Sequence, residues 1–269
     1  MDIPLRRLTF LARAGYASRG VVYLIIGSFA FLAAVGPGGD KKSSEGALLT
    51  LLAQPFGRAL VGLMVGGLAG YVGWRLVQSL LDTDDHGWSP KGIAVRGGLL
   101  GSAITHAVLA LYALSLLDLV WGGGPDGAGE PSLADIIARY VGMKPVLLVL
   151  CLTFAGVAVA HWIKAVTRRY ADHFDASDEV MRFVHPVSIL GLIARGTIWA
   201  VLALLLFYRF LRPVPTEGEP PGMREALGYI QGLPMGQWLL AATGVGLVLF
   251  AGYSFSEAIW RRINVEDAG

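Results

Sequence analysis

Six apolar runs, each long enough to cross a bilayer, constrain this chain more than any other feature. They extend approximately from Tyr16 to Gly36, Gly57 to Leu81, Ile93 to Trp121, Lys144 to Val166, Pro186 to Phe210 and Gly236 to Trp260. A spanning helix needs about 20 mostly apolar residues. The runs are continuous, whereas barrel strands alternate apolar and polar residues. The expected class is therefore all-α integral membrane, in a single membrane domain over residues 1–269. Charged residues make up 16% of the chain, against about 25% in soluble domains. That is too few to coat a soluble globule of this size, and the pattern also excludes a disordered chain, a coiled coil and a disulfide scaffold. Cys151 is the one cysteine. It lies inside an apolar run and reads as a packing residue. No small-residue cleavage site follows the first run convincingly, so that run reads as a retained helix.

Lysine and arginine near the span ends give the orientation. Fourteen of the 22 lie on the side of the N-terminus, the 82–90 and 170–185 links and the C-terminus. Both termini are therefore expected in the cytoplasm. The opposite links are longer and each has a Gly/Pro-rich part, as in Gly122–Gly129 and Arg212–Gly222, which reads as a solvated turn. Trp88, Trp121, Trp238 and Trp260 sit at expected span ends, where amphipathic rings favour the headgroup level.

The chain repeats itself three times, over about 11–85, 94–172 and 187–262. The first helices align without gaps at Arg13–Tyr23, Arg96–His106 and Ile189–Trp199. Short amphipathic helices follow at Ala47–Leu52, Leu133–Arg139 and Ala226–Ile230. The second helices close with Gly73–Ser79, Val159–Ala165 and Gly252–Ala258. A two-span unit starts and ends on one side, so successive units insert in parallel. The expected architecture is six transmembrane helices as three parallel two-helix repeats. It has pseudo-threefold symmetry and short interfacial helices in the outer loops.

Gly15-Tyr-Ala-Ser-Arg-Gly-Val-Val-Tyr-Leu24, Gln54-Pro-Phe-Gly57, Trp74-Arg-Leu-Val-Gln78 and Glu257-Ala-Ile-Trp-Arg-Arg262 resemble the bacterial membrane proteins grouped as domain of unknown function 1206. The resemblance covers nearly the whole chain. It implies three two-helix repeats and a location in the bacterial cytoplasmic (inner) membrane. It implies no activity, substrate or cofactor.

The repeat stacks polar residues at equivalent positions. The sets are Arg19, Ser102 and Arg195; Tyr23, His106 and Trp199; Arg75, His161 and Ser254; Gln78, Lys164 and Glu257. All lie in the half expected to face the cytoplasm, a lopsidedness that a channel open at both ends would not show. Ionisable groups cost about 2.5–3.5 kcal/mol at mid-membrane on insertion scales, which makes them functional candidates by default. For Arg19, Arg195, Arg75 and Lys164 the first expectation is snorkelling to lipid phosphates. The alternative is a cluster on the bundle axis that pairs with Glu257 or holds an anionic headgroup or substrate. His106 is too deep to snorkel and is expected to bond a neighbouring helix. His106 and His161 look staggered for a bis-histidine haem. Gly62, Gly66 and Gly70, with Gly67 and Gly73, form small-xxx-small steps expected to pack within the bundle. Asp118 is expected to be solvated or paired locally, and His173 to lie in a solvated acidic turn.

The chain contains no phosphate-cradling Gly-rich motif, Gly-x-Ser-x-Gly or His-Glu-x-x-His. Catalytic, cofactor-binding and metal sites are accordingly not expected. The expected function is a non-catalytic membrane module, structural, lipid-contacting or accessory to a larger complex. The alternative is a small transporter or channel with a polar cytoplasm-facing cavity, and a haem-binding protein comes third. The expected partners are anionic lipid headgroups at the cytoplasmic rim, with a protein partner or homo-oligomer open. A net charge of +2 implies no nucleic acid.

Overall fold

The computed structural model describes residues 5–35, 44–83, 87–117, 142–211 and 223–263. The described residues form eight α-helices. These are α1 (Leu5–Val35), α2 (Ser44–Leu52), α3 (Gly57–Leu81), α4 (Pro90–Ser115), α5 (Met143–Val166), α6 (Asp178–Leu211), α7 (Met223–Gln231) and α8 (Gly236–Trp260). Six of them, all but α2 and α7, are long and apolar enough to cross a membrane.

Two spans, α3 and α8, keep the bounds read from the sequence because the same turn punctuates both. Phe56 and Met235 take left-handed φ angles of 61° and 60° just before the helix. The Gly57 amide donates to the Gln54 carbonyl at 2.8 Å, and the Gly236 amide to the Leu233 carbonyl at 2.8 Å. Only glycine fits after the turn, since a Cβ on Gly57 would strike the Leu52 carbonyl and one on Gly236 the Gln231 carbonyl. The short helices α2 and α7 feed these turns, somewhat longer than expected from sequence. The third such segment, Leu133–Arg139, lies outside the described residues, as do Asp118 and Trp121.

Three bounds differ from the sequence reading by more than three residues. The α1 helix already begins at Leu5, α4 ends at Ser115 and α6 begins at Asp178. Asp178 and Glu179 occupy the first turn of α6, where carboxylates suit the positive end of the helix dipole. Pro186 sits two turns in and does not start the helix. The α4 N-terminus follows the usual chemistry: the Ser89 hydroxyl accepts from the Gly92 amide at 3.1 Å and Pro90 opens the first turn.

The spanning helices pack in the spatial order α4, α3, α1, α8, α6, α5. The first and last spans, α1 and α8, form the most extensive interface, and every other adjacent pair packs closely except one. No close interface joins α4 to α5 among the described residues. These two helices are also the least enclosed, with 17% and 22% of their apolar windows buried against 56% for α8. The α1–α8 seam rests on glycine. A Cβ on Gly27 would lie 2.7 Å from the Gly244 carbonyl oxygen, and one on Gly244 2.6 Å from the Phe31 nitrogen. The expected seam at Gly62 and Gly66 is not used in that way. A Cβ at Gly66 or Gly73 meets nothing within 4 Å, and one at Gly62 only grazes Leu117. Gly67 and Gly70 carry the buried face of α3 instead.

The links at the termini-bearing end are tied down. Arg96 donates to the Ser79 and Leu80 carbonyls at 2.8 and 3.0 Å, closing the last turn of α3. It also lies 3.8 Å from Asp82 and stacks on Trp88. The 170–177 link grips the end of α8, with the Asp175 amide on the Trp260 carbonyl at 2.7 Å and the Arg262 amide on the His173 carbonyl at 2.8 Å. Tyr170, fully buried, shares a 2.9 Å hydrogen bond with His185 Nδ1. Burial pushes its hydroxyl above the ordinary tyrosine range.

Candidate functional site

The polar residues singled out by the repeat converge inside the half of the bundle that carries the termini. Glu257 on α8 is the centre, 1% exposed. It is the sole carboxylate in the spans beyond the first turn of α6. Arg19 on α1 forms an ion pair with its Oε2. Arg261 donates to its Oε1 at 2.7 Å, and the Tyr253 hydroxyl to the same oxygen at 2.9 Å. Tyr253, Glu257 and Arg261 are spaced i, i+4 and i+8, so one face of α8 presents all three. Lys164 on α5 reaches the Tyr253 hydroxyl at 2.8 Å. Arg19 also donates to Ser254 Oγ at 3.1 Å and to the Tyr71 hydroxyl at 3.0 Å. The first and last spans are thereby crosslinked, with α3 joined through Tyr71.

Aromatic rings form the walls. The Arg19 guanidinium lies 5.3 to 5.4 Å from the ring centres of Tyr16, Tyr71 and Phe250. Arg75, half-buried, lies 4.8 Å from the Tyr71 ring and donates to Gln78 at 2.9 Å. Trp74 donates to the Tyr16 hydroxyl at 3.3 Å.

Arg195 on α6 is different. It is 9% exposed, and its Nε is buried with no hydrogen-bond partner. Among the described residues its guanidinium has no acceptor and no carboxylate. It stacks on the Tyr23 and Phe250 rings, 4.7 and 4.5 Å from their centres. The Phe250 ring is therefore shared by the guanidiniums of Arg19 and Arg195. Such contacts contribute up to about 2 kcal/mol each when desolvated, but a ring face does not satisfy five N–H donors. An unpaired buried charge costs several kcal/mol.

The two histidines lie on the least enclosed helices. Each makes a hydrogen bond to its own helix one turn back, from His106 Nδ1 to the Ser102 carbonyl at 2.7 Å and from His161 Nδ1 to the Val157 carbonyl at 2.8 Å. A carbonyl only accepts, so Nδ1 carries a proton, and in the neutral form of the ring Nε2 is an acceptor. His106 also packs on Tyr71, with ring centres 4.6 Å apart. On α5, His161 adjoins Trp162, whose Nε1 would lie 2.6 Å from a Cβ on Gly196, the residue after Arg195.

Every candidate that sequence reasoning named (Arg19, Arg195, Tyr23, His106, Arg75, His161, Gln78, Lys164 and Glu257) falls in or beside this cluster. Two expectations change. Arg19 and Arg195 do not snorkel, because Tyr and Phe rings on three helices hold them inward. His106 bonds its own turn and not a neighbouring helix. Tyr16, Tyr71, Trp74, Phe250, Tyr253 and Arg261 went unrecognised. For Tyr253 and Arg261 a signal existed in their i±4 spacing about Glu257. Among the described residues, five cations (Arg19, Arg75, Lys164, Arg195 and Arg261) meet one carboxylate here. Among the described residues no group of three His, Cys, Asp or Glu side chains could hold a metal ion.

The family model described as Domain of Unknown Function (DUF1206) matches residues 14–82 and 190–261. An uncharacterised protein of Bacillus subtilis (strain 168), YxxB, is 30% identical over 261 residues, spanning 94% of this chain and 91% of its own length. No solved structure matches.

Proposed function

This chain belongs to the DUF1206 family, and from that premise we propose that it is a non-catalytic membrane protein that holds an anionic phospholipid headgroup in its cationic cluster. The reading is carried by Arg195, a buried residue whose Nε has no partner and whose guanidinium has no acceptor or counter-ion among the described residues. Glu257 cannot serve it, since its oxygens already accept from Arg19, Arg261 and Tyr253. An anion supplied from outside the chain would satisfy both needs at once.

The further frame is three parallel two-helix units. Two observations support it. The family model matches two segments, which coincide with the first and third units. Spatial neighbours also follow chain order, with one seam open inside the second unit. The membrane is taken as the bacterial inner membrane, with both termini in the cytoplasm. The cluster then faces the leaflet in which anionic lipids meet cytoplasmic Lys and Arg. The transporter reading is weaker, because ion pairs and rings crosslink α1, α3 and α8 at the cluster.

The test is lipid-induced stabilisation. The full chain, delipidated in a neutral detergent, is expected to melt higher with added anionic phospholipid and not with phosphatidylcholine. A ligand at 100 times its Kd stabilises by about 2.7 kcal/mol. Arg195→Gln is expected to abolish the response while retaining helicity. An equal response from Arg195→Gln, or an equal response to phosphatidylcholine, refutes the proposal.

A further inference from the structure

The open seam lies between the helices that carry His106 and His161, and α5 packs against α6 beside Arg195, with Gly196 against Trp162; this bears on how the anion arrives and what kind it is. On α4, Ala94, Gly98, Gly101 and Thr105 lie on one exposed face at i, i+4, i+7 and i+11. On α5, Val149, Thr153, Gly156 and Ala160 repeat that spacing and are exposed as well. Ser102 and His106 follow directly on Gly101 and Thr105, and His161 follows Ala160. A Cβ at Gly98, Gly101 or Gly156 meets nothing within 4 Å. Small residues normally let helices close, yet these two do not pack together.

Resting on the reading of the cluster as a phospholipid site, we infer that a glycerophospholipid with a hydroxyl-bearing headgroup, phosphatidylglycerol in chemical class, enters sideways between α4 and α5. Its phosphate meets Arg195, its hydroxyls donate to His106 and His161, and its chains lie along the small-residue faces. Three features select this occupant. Arg195 lacks an acceptor, which a phosphodiester oxygen supplies bidentately. With Nδ1 donating to its own helix, each histidine in its neutral form offers Nε2 as an acceptor, which a hydroxyl satisfies and an anionic oxygen does not. The surplus of cations over Glu257 disfavours a headgroup that carries its own ammonium. A soluble phosphate would fill the first requirement only, and a second copy of the chain would bring no anion to Arg195 from its spanning segments beyond the first turn of α6 other than Glu257, which is already committed.

The experiment is native mass spectrometry of the full chain released from mild detergent. It is offered, in separate arms, phosphatidylglycerol, phosphatidylmethanol, phosphatidylcholine and inorganic phosphate. Phosphatidylmethanol carries the same phosphodiester charge and no hydroxyl. Wild type is expected to hold one phosphatidylglycerol per chain with about tenfold preference over phosphatidylmethanol, undisturbed by inorganic phosphate. His106→Phe/His161→Phe is expected to bind both lipids alike, and Arg195→Gln neither. Equal binding of the two lipids by wild type overturns the inference and leaves the phospholipid reading standing, and that arm needs no variant to fold. Unchanged binding by Arg195→Gln overturns both. Displacement by inorganic phosphate, or a lipid-free dimer as the main species, overturns the lateral lipid site.

Discussion

Replacing Glu257 by glutamine removes one charge and almost no volume, so it isolates what the carboxylate does. In the native chain Glu257 accepts from Arg19, Arg261 and Tyr253. The variant takes the carboxylate away from two arginines that are 5% and 6% exposed, and turns part of the acceptor into an amide donor aimed at guanidinium donors. Removing one partner of a buried pair costs about 3–5 kcal/mol. A chain of this size shifts its Tm by about 2–4 °C per kcal/mol, so the lower end of that cost corresponds to about 6–12 °C. The assay is thermal unfolding in detergent followed by intrinsic fluorescence, for which seven tryptophans give ample signal. Arg19→Met in the Glu257→Gln background is expected to recover part of the loss, with a coupling energy of about 2 kcal/mol or more. A Glu257→Gln variant within about 1 °C of wild type, or a strictly additive double variant, refutes the account of Glu257 as the counter-ion that ties α1 to α8.

Arg195→Met is expected to act in the opposite sense in the absence of lipid. Exchanging an unpaired buried charge for an apolar chain stabilises the delipidated protein by about 1–4 kcal/mol, read as a raised Tm that no longer responds to anionic lipid. Gly244→Leu is expected to lower the Tm through overpacking of the α1–α8 seam by about 1–3 kcal/mol. Gly66→Ala, which meets open space, is expected to be neutral or to stabilise by up to about 1 kcal/mol, and melting curves of the two separate the seams. With termini in the cytoplasm, a cysteine at exposed Ser177 is expected to label only from the cytoplasmic face of membrane vesicles and one at Gln54 only from the other. Buried Cys151 contributes little background, and the reverse pattern inverts the topology.

The spans were legible because apolar length is a property of single segments. Gly57–Leu81 and Gly236–Trp260 are right to the residue, since a Pro-x-Gly turn marks both starts. The start of α6 was not, because Pro186 is tolerated two turns into a helix whose first turn is acidic. The polar cluster was legible as a set of depths and not as a set of directions. Depth follows from alignment, whereas the inward course of Arg19 and Arg195 depends on Tyr71, Tyr23 and Phe250, contributed by other helices. The open seam lies between two spans that are consecutive in the chain, and no pattern within either helix announces it. Their small-residue faces suggest close packing, which the fold does not make.

The central claim is that Arg195 waits for a phosphate delivered from the bilayer. A structure of the wild-type chain determined in phosphatidylglycerol-containing nanodiscs tests it most directly. The account predicts phosphate density within hydrogen-bond distance of the Arg195 guanidinium, with acyl-chain density running out between α4 and α5. An Arg195 guanidinium bonded to the protein's own carboxylates or carbonyls, with α4 and α5 packed against each other, contradicts it.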